Sequence, residues 1–217
     1  MAAPLIKDAD TQSWWATTGT LSGDDMEGRD TGSAGYARAA KIVAGRFKAA
    51  GLTPAGSNGD WFQTLTLREA RVETDGTSVK VLREGAPSID FKFLHEITVR
   101  ATFDLPAELD AAMSFRGYCS SQDMDASVRG KVLVCFGNRR PGLPSAAQRI
   151  AAAAQAGAVG LVVVDDPGFT EEPARWPAAY ARLIAPADAP PVAAPTLAVF
   201  SLSSPAFVKL LAGTGFD

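Results

Sequence analysis

Histidine and cysteine are nearly missing: the 217 residues hold one histidine, His95, and two cysteines, Cys119 and Cys135. Histidine-rich metal sites and multi-cysteine zinc sites are thereby excluded, since structural zinc takes four such ligands and catalytic zinc normally three protein ligands. No uncharged apolar run reaches the roughly 18–20 residues a membrane helix needs. Charge of one sign is not massed either. Lysine and arginine number 21 against 24 acidic residues, a net charge of −3, and the basic residues are scattered. A nucleic-acid or anionic-membrane partner recruited by charge is excluded on that ground. Also missing are the G-x-S-x-G turn of serine hydrolases, the G-x-G-x-x-G order and a Walker lysine. The first residues lack a positive segment followed by an apolar core, which leaves either a cytosolic protein or a processed secreted one.

What is present suits an ordinary globular chain, with 47% hydrophobic, 21% charged and 8% aromatic residues. The spacing predicts a helix over 10–21, then a structured loop over 24–33 whose four acids, Asp24, Asp25, Glu27 and Asp30, lack the ligand order of an EF-hand. A solvated turn with Arg29 tying back the carboxylates is the plainer reading. Ser33 suits an N-cap, and Tyr36, Ala40, Val43, Phe47 and Ala50 form one stripe of a helix over 34–50 that Gly51 ends. Residues 61–67 alternate as a strand does. Strands are expected again at 78–82, 89–94, 97–103, 111–118, 130–137 and 158–164, with a helix over 145–156 between the last two. The two cysteines can pair, and two buried reduced thiols are the plainer expectation.

The run from Leu21-Ser22-Gly23-Asp24-Asp25-Met26-Glu27-Gly28-Arg29-Asp30-Thr31-Gly32-Ser33 into the following helix, then Trp61-Phe62-Gln63, resembles the opening of the family-28 metallopeptidases, two-zinc aminopeptidases and carboxypeptidases. The remainder resembles the protease-associated domain. The strand over 130–137, Ala156-Gly157-Ala158-Val159-Gly160 with the aliphatic strand it opens, Phe115-Arg116-Gly117-Tyr118, and the strand and helix over 195–211 match its order of elements. The resemblance implies an α/β (α+β) fold: a peptidase's N-terminal helical segment over 1–70, then a protease-associated β-sandwich or open β-barrel flanked by helices over 71–217.

It also implies a function. The chain looks like the non-catalytic N-terminal part of a zinc-dependent exopeptidase, gating substrate access or contacting proteins, in a secreted or periplasmic setting. The zinc is expected in a catalytic domain outside this sequence, because one imidazole cannot build a two-zinc cage. No catalytic or metal residue is therefore assigned in this chain. Arg139 and Arg140, which read as a solvated pair that can still meet an anion, and Trp176, Tyr180 and Arg182, in a mixed loop over 169–184, are the candidate substrate or partner contacts. For Trp176, burial in its own domain weighs equally. The Pro-rich stretch over 186–195 suits a stiff brace. The expected partners are a peptide or protein substrate, the peptidase domain itself, or a second copy meeting the apolar faces of the N-terminal helices. A free-standing protein-binding module is the alternative, and a hydrolase using Cys119 or a serine the weakest reading.

Overall fold

A computed structural model describes residues 8–166, 176, 181–190 and 197–212. The chain divides into two compact units, residues 1–65 and 66–217. In the first, Asp8 caps α1 (Ala9–Leu21), its carboxylate accepting from the Asp10 and Thr11 N–H groups. Ser33 caps α2 (Ala34–Ala49) by accepting from the Tyr36 N–H at 3.1 Å. The helix closes with Gly51 in the left-handed region at φ 78°, as the Leu52 N–H reaches back to the Phe47 carbonyl at 3.1 Å.

Between the helices, Asp24–Arg29 forms a 3-10 turn in which Glu27, Gly28 and Arg29 all have positive φ. The carboxylate tie expected of Arg29 comes instead from Arg38, one turn into α2, which meets Glu27 at 3.0 Å and the Asp25 carbonyl. The turn packs tightly: a Cβ on Gly35 would fall onto the Met26 carbonyl.

Residues 61–66 are not a strand, contrary to their alternation. Their start is drawn into a turn instead, where Ser57 N–H meets the Phe62 carbonyl at 3.0 Å and Gly56 N–H the Asp60 carbonyl at 2.7 Å. Gly56 is required there, because a Cβ would lie 2.5 Å from the Phe62 oxygen.

The strand β1 (Leu67–Arg71) opens the second unit and pairs antiparallel with β8 (Arg182–Pro186). A hairpin of β2 (Val79–Arg83) and β3 (Ala86–Phe91) follows. The centre is a five-stranded sheet made of β4 (Ile97–Val99), β5 (Met113–Phe115), β6 (Val132–Phe136), β7 (Gly160–Val164) and β9 (Ala198–Leu202). Its order is β4-β9-β7-β6-β5, parallel throughout except for β4. The helix α3 (Ala146–Gln155) links β6 to β7, and α4 (Ser204–Leu211) follows β9.

Strand alternation sorts the core into two layers. Val132, Val134, Val162, Val164, Ile97 and Leu202 face the hairpin's Ile89 and Phe91 and α4's Ala206. Leu133, Cys135 and Leu161 face Ala153 of the alanine-rich α3, together with Cys119 and Val128. Each valine or leucine so buried stabilises the fold by about 1.5–3 kcal/mol against its own ordering cost. The class is thus α+β, as the sequence indicates.

Candidate functional site

Four parallel strands bring their carboxyl ends to one edge of the sheet, the place where open α/β sheets usually present their ligand-binding loops. The loops there begin at Arg116, Gly137, Asp165 and Ser203. Gly137 lets the β6 exit run against β7: its N–H donates to the Val164 carbonyl at 2.8 Å, and a Cβ would lie 2.6 Å from that oxygen. The next turn is held by Asp166, which is buried and accepts from the Arg139 N–H at 3.2 Å. The Arg139 and Arg140 side chains are left exposed at the surface.

A third arginine sits beneath them. Arg149, in the first turn of α3, is 2% exposed, and its guanidinium bridges two carbonyls: Nε donates to Tyr118 at 3.0 Å, Nη2 to Asn138 at 2.8 Å. Burial, and then the nearby Arg139 charge, pull its pKa below the usual arginine value; a guanidinium stays charged regardless. Arg149 thereby ties the turn after β5 to the turn after β6. It is the one charged residue in the Ala146–Gln155 helix. That isolation was the signal that sequence reasoning passed over.

A disulfide fixes the same turn. Cys119 and Cys135 are bonded, their Cα atoms 5.7 Å apart and both fully buried, so the expectation of two reduced thiols is corrected. The Gly117 carbonyl accepts from the Phe136 N–H at 2.8 Å, which carries the β5 exit alongside β6 and brings the two sulfurs together. Cys119 adopts φ 53°, uncommon for a residue with a Cβ. With no free thiol left, the Cys119 nucleophile reading falls.

Tyr118, on this clamped turn, joins an aromatic cluster. Its ring lies 6.0 Å from Phe136, which meets Phe115 at 5.2 Å and Phe207 at 5.4 Å, both edge-on. Phe115 is 53% exposed, so the cluster reaches the surface. The cluster too escaped the sequence reading, because its members come from three separate segments, 115–118, β6 and α4.

The other candidates lie elsewhere. Trp176 is 4% exposed, packed with Phe93, Leu94, Val99 and Ala181, and its N–H donates to the Leu94 carbonyl at 2.6 Å. Of its two readings, burial in its own domain is the one the structure adopts; as a surface contact it is corrected. Arg182 lies on β8, outside the central sheet whose β6 exit loop carries Arg139 and Arg140, and pairs with Glu69 of β1 at 2.9 Å. Tyr180 lies outside the described residues, as do most of the 169–184 loop and the end of the 186–195 stretch. Among the described residues no group of three His, Cys, Asp or Glu side chains could hold a metal ion.

Residues 105–199 match the PA domain model. None of the curated proteins compared matches the chain. Among solved structures the chain is similar to the aminopeptidase from Aneurinibacillus sp. strain AM-1, with 15% identity and a TM-score of 0.51, covering 96% of this chain and 42% of that one. It is also similar to a zinc aminopeptidase from Bacillus subtilis, with 13% identity and a TM-score of 0.45, covering 91% and 40%. At 15% identity the likeness to the first of these is one of fold. The chain spans about two fifths of the length of these aminopeptidases.

Proposed function

We propose that this chain is the non-catalytic N-terminal and PA-domain portion of a zinc-dependent, aminopeptidase-like exopeptidase of the family-28 type. In that role it gates substrate access or contacts a protein partner. The observation that carries this reading is that the likeness to an aminopeptidase runs through both compact units rather than the PA-type unit alone. A second feature supports it. Tyr36, Val43 and Phe47 of α2 stand half-exposed and line, with Leu21, Arg29 and Trp61, an apolar groove of about 470 Å³. Such a face wants a partner, and a peptidase domain supplies one.

In this reading the zinc belongs to that catalytic domain and none is held here. The clamped turns at the carboxyl edge of the sheet, bearing Tyr118, Arg139 and Arg140, are the contact surface offered to substrate or partner. Two turns fixed by a buried disulfide and a buried guanidinium cost little entropy to order on binding, which suits a gate that must keep its shape. The disulfide also favours an oxidising compartment, hence a secreted or periplasmic protein. Among the described residues no helix is long and apolar enough to cross a membrane.

Immunodetection of the native product in its source cells tests the reading. A band more than twice 22.7 kDa, carrying a chelator-sensitive aminopeptidase activity, is the expected result. A band at 22.7 kDa would overturn it in favour of a free-standing PA-type binding module.

A further inference from the structure

The chain holds two asparagines, and they sit in opposite settings. Asn58 precedes Gly59 in the exposed 3-10 turn Ser57–Gly59, with φ 56° and ψ 30°. Among the described residues nothing hydrogen-bonds its side-chain amide. Gly59 is exposed as well, at φ 76°, and the place a Cβ would take is open space, so no side chain shields its nitrogen. Asn138 precedes the bulkier Arg139. Its carbonyl is held by Arg149 at 2.8 Å, and the Arg139 N–H, the nitrogen placed to attack its side chain, is engaged by the buried Asp166 at 3.2 Å.

Asparagine is a chemically labile side chain, and a following glycine removes the steric barrier to attack on it. Attack at Asn58 needs ψ to swing away from 30°. Only local bonds oppose that swing: the Asp60 N–H on the Ser57 carbonyl, the Gly56 N–H on the Asp60 carbonyl and the Ser57 N–H on the Phe62 carbonyl. Exposed turns of this kind open at small cost. The swing also releases a left-handed residue that carries a Cβ.

We propose that Asn58 is a site of spontaneous deamidation, and that its isoaspartyl product unmakes the turn that seats Trp61. The Gly59 nitrogen gives up its proton and bonds to the Asn58 side-chain carbonyl carbon. The bond from that carbon to the amide nitrogen breaks, and ammonia leaves with the proton. Water then opens the cyclic imide. Opening at the side-chain carbonyl leaves aspartate; opening at the main-chain carbonyl leaves isoaspartate, with one carbon more in the backbone. That extra carbon enters the turn whose bonds fix Phe62 and, beside it, Trp61, whose ring lies 6.5 Å from Phe47 of α2. Trp61 and Phe62 line the apolar groove along α2, so the groove ages with the turn. The site stands whether or not the exopeptidase reading does.

Warm incubation of the whole chain in mildly alkaline buffer, followed by tryptic mass spectrometry, tests it. The fragment over 49–68 should gain one mass unit and split into two products, isoaspartate the larger, while the fragment carrying Asn138 stays unchanged. The rate should lie within about tenfold of that of a synthetic peptide of residues 54–64, since only a local turn must open. Asn58→Gly, which suits the positive φ, should abolish the gain and leave thermal stability as it was. The isoaspartyl fraction should exchange its 56–62 amides faster than Asn58→Asp, which adds the charge without the extra carbon. A rate more than about tenfold below the peptide's, conversion of Asn138 as fast as Asn58, or equal exchange in the isoaspartyl and Asn58→Asp forms would overturn the proposal.

Discussion

Arg149 shows what one residue does for this molecule. Its guanidinium satisfies two carbonyls from separate turns, so Arg149→Met should cost about 2 kcal/mol in urea unfolding by leaving those acceptors without their donor. Arg149→Lys should recover only part of it, because an ammonium lacks the planar fork that spans both oxygens. The disulfide acts on the same turn through the unfolded chain. With the cysteines 16 positions apart in sequence, a Cys119→Ala/Cys135→Ala variant should lose about 3 kcal/mol. Thermal unfolding with and without a reductant would read that difference. Glu96 gives the acid dependence. Burial pushes its carboxyl up, but hydrogen bonds from Lys209 and the Lys92 N–H, with both lysine charges, outweigh this and hold it below the usual glutamate range. Its contribution is therefore complete above the unfolded value and disappears as pH falls through the lower folded one. Lys209→Met should flatten the fall in stability below about pH 4.3, measured by urea titration at stepped pH.

At the scale of elements, the sequence was most legible where local rules act alone. Ser33 and Gly51 bracket α2, and Ser145 with Gln148 forms the capping box that starts α3. The continuous aliphatic runs of β6 and β7 announced buried strands. The 61–67 alternation misled because strand formation needs a partner. The antiparallel partner β8 begins its pairing with the Ala187 N–H on the Thr66 carbonyl, leaving residues 61–65 unpaired. The disulfide was not legible for a related reason: nothing local says that the turn after β5 folds back beside β6. Gly35, an ordinary residue in sequence, is fixed by packing. Gly35→Ala should destabilise the first unit by about 1–3 kcal/mol or more, since backbone rather than a flexible side chain stands in the way. Loss of α2 amide protection in hydrogen exchange would report it.

At the scale of the whole chain, the first unit leaves several large apolar side chains exposed. Trp14 is 62% exposed and Phe47 47%. At tens of micromolar the chain alone should self-associate in sedimentation velocity; a monomeric profile would refute this, and Phe47→Glu should weaken the association if it occurs. The PA-type unit was readable because its motifs keep a fixed order along the chain, whereas contact surfaces such as the Phe115, Tyr118, Phe136 and Phe207 cluster assemble only in three dimensions. The order of the central sheet has a consequence for synthesis. β9 lies between β4 and β7, so the strand made last in that sheet is the one that joins the rest. Until residues 198–202 have left the ribosome, β4 has no neighbour and the inner edge of β7 is bare. The hairpin and the β5-β6-β7 part can pair as they emerge, but the sheet closes only in a late step, and until then it carries an open edge of the kind that invites aggregation.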